Sequence, residues 1–174
     1  VKTRHNNAKE TAKELANAYM TNATIDTIVC LDGTELIGAF MAEFLADTGI
    51  MSINSGNNIS IITPDVNAYG QLVFMDSTIR MIKNMQVLVL AASVTTGRTI
   101  AQAAEAVSYY GGTVRGVAAI FSNVEQTAEG MEIFSIFQKE DLPDYQAYLP
   151  SECPMCRKKM PIDAIVNSFG YSKL

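Results

Sequence analysis

Apolar residues in this chain recur in two rhythms, short unbroken runs and stripes spaced three or four apart, and their alternation predicts strands followed by helices. The first stripe lies in "AKETAKELANAY", where Ala8, Ala12, Leu15 and Tyr19 share one helical face and Lys and Glu take the other. "TIDTIVCL" then reads as a short buried strand. The turn "DGT" follows it, and Ile37, Phe40, Met41, Phe44 and Leu45 return to helical spacing, with Gly49 as the expected cap.

After the polar loop "NSGNN", the runs "ISIIT" and "QLVFM" read as strands around "PDVNAYG", a hairpin-like excursion. "QVLVLAA" is apolar on both faces, the pattern of a central parallel strand. Ile100, Ala103, Ala104 and Val107 form the stripe of the next helix, and Gly111 and Gly112 close it. "TVRGVAAIF" and "MEIFSIF" add two more strands. The predicted fold class is α/β, a mostly parallel sheet of five or six strands covered by helices on both faces. From Leu142 onward the chain reads as an irregular tail, and there is no internal repeat.

The 174 residues fit one domain spanning 1–174, and 48% hydrophobic with 18% charged residues is the composition of a packed globular protein. A net charge of −5 and a pI of about 4.8 argue against a nucleic-acid partner, which needs clustered Lys and Arg. No apolar run reaches the roughly 18 residues of a membrane span, and "VKTRHNNAKE" lacks a signal peptide's apolar core, so a soluble cytoplasmic protein is expected. The first residue is Val, not Met. Three cysteines, an odd number, fit a reducing compartment better than a secreted disulfide framework.

The chemistry concentrates where the central strand runs into its helix, at "TTGRT". In open α/β sheets ligands sit at the carboxyl ends of strands, where a helix N-terminus offers unpaired N–H groups to an anion. Gly97 can take the dihedrals of a tight loop, and Thr95, Thr96 and Thr99 carry hydroxyls that can donate to a phosphate. The competing explanation is that the threonines only cap a helix.

The whole stretch resembles the signature of the type I phosphoribosyltransferases. There an apolar strand runs into two acidic residues, two apolar residues and a Thr-Thr-Gly-x-Thr loop holding the 5′-phosphate of phosphoribosyl pyrophosphate (PRPP). The resemblance is strongest to the orotate branch and covers most of the chain. It implies that Thr95, Thr96, Gly97, Arg98 and Thr99 hold phosphate, that Ala91, Ala92 and Ser93 lie on the ribose side, and that Leu31, Asp32, Gly33, Thr34 and Glu35 form the pyrophosphate-side loop. "TRHNN" is similar to the start of the family's N-terminal hood, here about residues 1–22. "CPMCRKKMPI" is similar to a Cys-Pro-x-Cys tail of some members, within about residues 142–174. A homodimer, a small phosphorylated metabolite as partner and Mg²⁺ as cofactor are likewise implied.

The chain departs from that pattern at the positions that carry catalysis. Ala91 and Ala92 replace the acidic pair, and each lost charged hydrogen bond costs about 1.5–3 kcal/mol. "TPDVNAYGQ" contains no basic residue and carries Asp65, where the orotate enzymes have a mobile loop with Lys and Arg. Asp32 and Glu35 put negative charge where pyrophosphate would sit unless Mg²⁺ intervenes. The expectation is a scaffold that binds a 5′-phosphorylated ribose ligand, PRPP or a nucleotide, with transferase chemistry reduced or lost. An active purine or pyrimidine transferase using Mg²⁺-PRPP and a non-catalytic metabolite-sensing regulator stay open beside it.

Other candidates are less defined. His5, the one histidine, could cover the ligand or be a surface residue, and Arg4 and Arg98 could meet an anion or only solvent. Cys153 and Cys156 supply two of the four ligands of a structural zinc, which two chains of a dimer could complete. A redox role for them is weaker on sequence grounds, because the pair does not sit between a strand and a helix near the chain start. Neither a dinucleotide-binding nor a P-loop glycine motif is present, and one histidine supports no Ser-His-Asp arrangement.

Overall fold

The computed structural model describes residue 2 and residues 4–47, 52–149, 151–167 and 170–174. At its centre lies β5 (Gln86–Val94), whose residues 87–91 are all buried. A strand with two apolar faces needs a neighbour on each edge and cover on each side. Its neighbours are β1 (Thr27–Cys30) and β6 (Thr113–Ser122), and β2 (Ser60–Ile62) and β7 (Ile133–Gln138) extend the sheet outward. The order is β2-β1-β5-β6-β7, with every pair parallel. Asp26 sets the register at the start of β1. Its N–H donates to the Gln86 carbonyl at 2.8 Å, and its carboxylate accepts from the Gln86 N–H at 2.8 Å.

Helices α1 (His5–Asn17) and α2 (Glu35–Ala46) cover one face. Ala8, Ala12 and Leu15 of the first and Ile37, Met41 and Leu45 of the second pack with Ile28, Cys30, Leu88 and Leu90 of the sheet. The short α3 (Asp76–Ile79) and α4 (Arg98–Tyr109) lie on the other side, where Ile100, Ala103 and Val107 pack with Val87, Val89, Val117 and Ala119. The α4 stripe differs by one position from the periodic expectation: Ala106 is buried and Ala104 only half-buried. Gly111, at φ +82°, ends α4 in a two-bond cap, its N–H donating to Ser108 and that of Gly112 to Val107, each at 2.9 Å. Tyr19 lies beyond the end of α1, yet it is buried and its hydroxyl donates to the Val117 carbonyl at 2.8 Å.

Three expectations change. "ISIIT" does not pair with "QLVFM": β2 joins the main sheet beside β1, and the hairpin is the smaller β3 (Asp65–Val66) against β4 (Leu72–Val73). "NSGNN" is not wholly a solvated loop. Asn54 is fully buried, its carbonyl accepting from Ile25 N–H at 2.7 Å and its amide donating to Ala23 at 3.0 Å and Tyr19 at 3.4 Å. The tail is not irregular throughout, for it holds one turn of helix, α5 (Pro154–Arg157), and an antiparallel pair, β8 (Ala164–Asn167) with β9 (Gly170–Lys173). The cap expected at Gly49 lies outside the described residues. Among the described residues no helix is long and apolar enough to cross a membrane.

Candidate functional site

The strand order places a switch point between β1 and β5. The chain moves outward from β1 to β2 on one side and from β5 to β6 and β7 on the other. At such a point the two loops leaving the carboxyl ends diverge and leave a crevice between them, where ligands of open α/β sheets bind. Residues 31–35 leave β1 on one side of it, and residues 95–99 leave β5 on the other.

Loop 95–99 is built as a turn directly into α4. Gly97 takes the left-handed conformation, φ +77° and ψ −6°, and is itself the N-cap of the helix, with no side chain capping it. The threonines are therefore not helix caps. The Thr95, Thr96 and Thr99 side chains are exposed, and among the described residues no protein group accepts from the main-chain N–H of Thr96, Gly97, Arg98 or Thr99. The first amides of any helix lack internal partners, and here they open into a hollow of about 40 Å³ lined by residues 93–100. Thr127 lies behind it, where a Cβ on Gly97 would stand 3.7 Å from its Cα. Arg98 is exposed at the rim.

Ala91 and Ala92 still belong to β5, and alternation sends them to opposite faces. Ala91 is 1% exposed, beside Ala119 of β6 in the α4-side core, whereas Ala92 is half-buried and Ser93 exposed. Of the pair, Ala92 is the one with access to solvent.

Loop 31–35 is rigid at its ends and exposed in its middle. Leu31 and Thr34 are buried, and Thr34 Oγ1 donates to the Leu31 carbonyl at 2.8 Å and the Leu90 carbonyl at 3.2 Å. Between them Asp32 and Gly33 turn with positive φ, 57° and 71°, and both face solvent. Glu35 opens α2 and accepts from the Thr63 hydroxyl at 3.0 Å, which ties this loop to the exit of β2. Lys2 donates to the Asp32 carbonyl, bringing the N-terminal segment onto the same loop. His5 packs edge-on against Phe40 at 5.1 Å and Arg4 is exposed. Cys30, immediately before the loop, is fully buried, and burial pushes its thiol up to about 12 despite the Thr34 hydroxyl that favours ionisation.

One residue escaped the sequence pattern. Asn123, just after β6, donates its main-chain N–H to the Val94 carbonyl at 2.8 Å and its side-chain amide to the Thr95 carbonyl at 3.3 Å, bracing the loop from behind. Its Oδ1 is buried without a partner among the described residues. No local motif marks it, because its position depends on β6 lying beside β5. In the tail the Cys156 N–H donates to the Cys153 sulfur at 3.4 Å, and among the described residues no three His, Cys, Asp or Glu side chains gather as a metal site.

No protein-family model matches the chain. Over 80 residues it is 35% identical to the orotate phosphoribosyltransferase of Chlorobaculum parvum, a match covering 45% of this chain and 39% of that protein. The chain thus spans well under half of that relative's length. The structure superposes on orotate phosphoribosyltransferase of Mycobacterium tuberculosis, solved with PRPP, with TM-score 0.57 at 18% identity over 80% of this chain and 77% of that one. It also superposes on UMP synthase of Leishmania donovani, with TM-score 0.53 at 16% identity over 78% of this chain and 28% of that one. The five-stranded parallel sheet between two helical layers is the type I phosphoribosyltransferase fold, and part of the chain is similar in sequence to an orotate phosphoribosyltransferase.

Proposed function

We propose that residues 95–99 hold the phosphate of a 5′-phosphorylated ribose ligand, PRPP or a nucleotide, on a scaffold whose transferase chemistry is reduced or lost. One observation carries the phosphate: main-chain N–H groups with no protein acceptor, turned by a left-handed Gly97 into a hollow at the start of α4. Oriented amides of this kind bind anions. The M. tuberculosis orotate phosphoribosyltransferase, similar in fold, was solved in complex with PRPP, which supports a ligand of that kind.

The reduced chemistry rests on the groups that the end of β5 and the exit of β2 lack. Ala91 and Ala92 offer no carboxylate to ribose hydroxyls or to a developing positive charge. Residues 63–73, which include the β3–β4 hairpin, contain no Lys or Arg, so the exit of β2 brings no cation to a pyrophosphate. Mg²⁺ fits the other loop in kind: it binds one or two carboxylates together with phosphate oxygens and water. Asp32 and Glu35 are exposed there and would hold it. When bound, it would screen a pyrophosphate from both carboxylates.

Calorimetry with a nucleoside 5′-monophosphate, inorganic phosphate and PRPP, each with and without Mg²⁺, tests both halves. The expected outcome is metal-independent binding of the monophosphate and no turnover of orotate or a purine base with PRPP. Base turnover would restore the active Mg²⁺-PRPP transferase, which the identity to the C. parvum enzyme favours. Binding without turnover fits the metabolite-sensing regulator. Absence of binding by all three anions would sink the phosphate site itself.

A further inference from the structure

The tail holds two of the three cysteines under conditions unlike the third. Cys30 is sealed in the core, whereas Cys153 is half-buried and Cys156 exposed. Cys153 is the N-cap of α5 with Pro154 directly after it, and its sulfur accepts from the Cys156 N–H at 3.4 Å. Residues three apart on a helical turn lie roughly 5 Å apart at Cα, within the span of about 4.4–6.8 Å that a disulfide bridges. The turn thus sets the two Cα atoms within the span that a disulfide bridges, with the Cys156 N–H already on the Cys153 sulfur.

The two sulfurs are also electrostatically unequal. The Cys156 N–H, then the Cys156 thiol, the Met155 N–H and the Arg157 charge hold Cys153 below the ordinary thiol range. The hydrogen bond to Cys153 and the charge there push Cys156 up. Thiol–disulfide exchange needs one sulfur as thiolate to attack and an accessible partner to resolve the product. A single chain does not complete a metal site instead, since zinc takes four ligands and no set of three gathers among the described residues.

We propose that Cys153 and Cys156 form a thiol–disulfide exchange site whose substrates are small-molecule disulfides of the glutathione type. The Cys153 thiolate attacks one sulfur of the disulfide, forming a mixed disulfide and expelling one thiolate. Cys156 then loses its proton and attacks the Cys153 sulfur, expelling the second thiolate. Protonation of the two leaving groups balances the step: the small disulfide is reduced to two thiols as the protein dithiol is oxidised by two electrons.

The test equilibrates the full chain in mixtures of reduced and oxidised glutathione, alkylates the free thiols and measures intact mass and the modified positions. Cys153 and Cys156 are expected to leave the thiol pool together, with loss of two hydrogen atoms and full reversal by reduced glutathione, while Cys30 stays protonated and unmodified. Cys156→Ser should trap glutathione on Cys153, and Cys153→Ser should slow the reaction by about tenfold or more, as expected when the sulfur that more readily becomes thiolate is removed. Three results would overturn the proposal: glutathione on both cysteines without closure, a disulfide joining two chains, or one zinc ion per two chains that protects all four thiols from alkylation.

Discussion

Gly97 is the residue on which the candidate site turns. At φ +77° any other side chain meets backbone strain, while the space beside it is ordinary, the nearest atom to an added Cβ being 3.7 Å away. Gly97→Ala should therefore lower stability by about 1–2 kcal/mol, read by urea denaturation, and weaken phosphate binding by about tenfold or more as the amides turn away from the anion. Undiminished binding would mean that the loop is not the cradle. Gly38 poses the opposite problem: a Cβ there would stand 2.6 Å from Cys30 Sγ, between α2 and β1. Gly38→Ala should cost about 1–3 kcal/mol, and combining it with Cys30→Ala should recover part of that, a coupling that a double-mutant cycle measures. Cys30 and Tyr19 also give the protein an alkaline limit, since burial raises both above their ordinary values of 9.0 and 10.0. In the unfolded chain they ionise first, so the folded state binds more protons and stability falls as pH rises from about 9 towards 12. The slope for each group is at most about 1.4 kcal/mol per pH unit, and denaturation midpoints against pH, with Cys30→Ala as comparison, report it. At this scale the turn at "TTGRT" was legible because Gly97 marks it. Asn123 was not, because nothing local reveals that its amide reaches Thr95.

Among the elements, those with a strong local signal were read correctly. β5 is an apolar run with turn residues at its end, and α4 has both a periodic stripe and a Gly111-Gly112 stop. β2 was assigned to the wrong partner for a physical reason. Its three residues carry no preference between a local hairpin and a distant parallel neighbour, and pairing Ile61 with Ile28 in the main sheet decides the matter. Asn54 read as loop because polar residues usually are, yet its side chain satisfies three backbone groups around the α1–β1 turn and so stays buried at little cost. In the tail, Pro143, Pro150, Pro154 and Pro161 masked the short elements between them. Strands β8 and β9 expose Ile165, Val166 and Tyr171, so no inward-outward alternation announced them.

For the whole molecule, the expectation of a homodimer is tested by light scattering, which should give twice the mass of the chain; a monomer at micromolar concentration would overturn it. The strand order has its own reach. Because the two candidate loops leave adjacent parallel strands, the crevice is fixed by the sheet. That position was foreseeable from strand-helix alternation, whereas the order of the strands was not, since it depends on pairings between residues far apart in sequence.

The β3–β4 hairpin, bare of Lys and Arg, bears on the kinetics of encounter. A phosphate ester diffusing toward a chain of net charge −5 meets a repulsive field with no cationic flap to draw it in. Added salt screens that field over about 10 Å at 0.1 M. Stopped-flow association should therefore quicken as ionic strength rises, the reverse of capture by a positively charged flap.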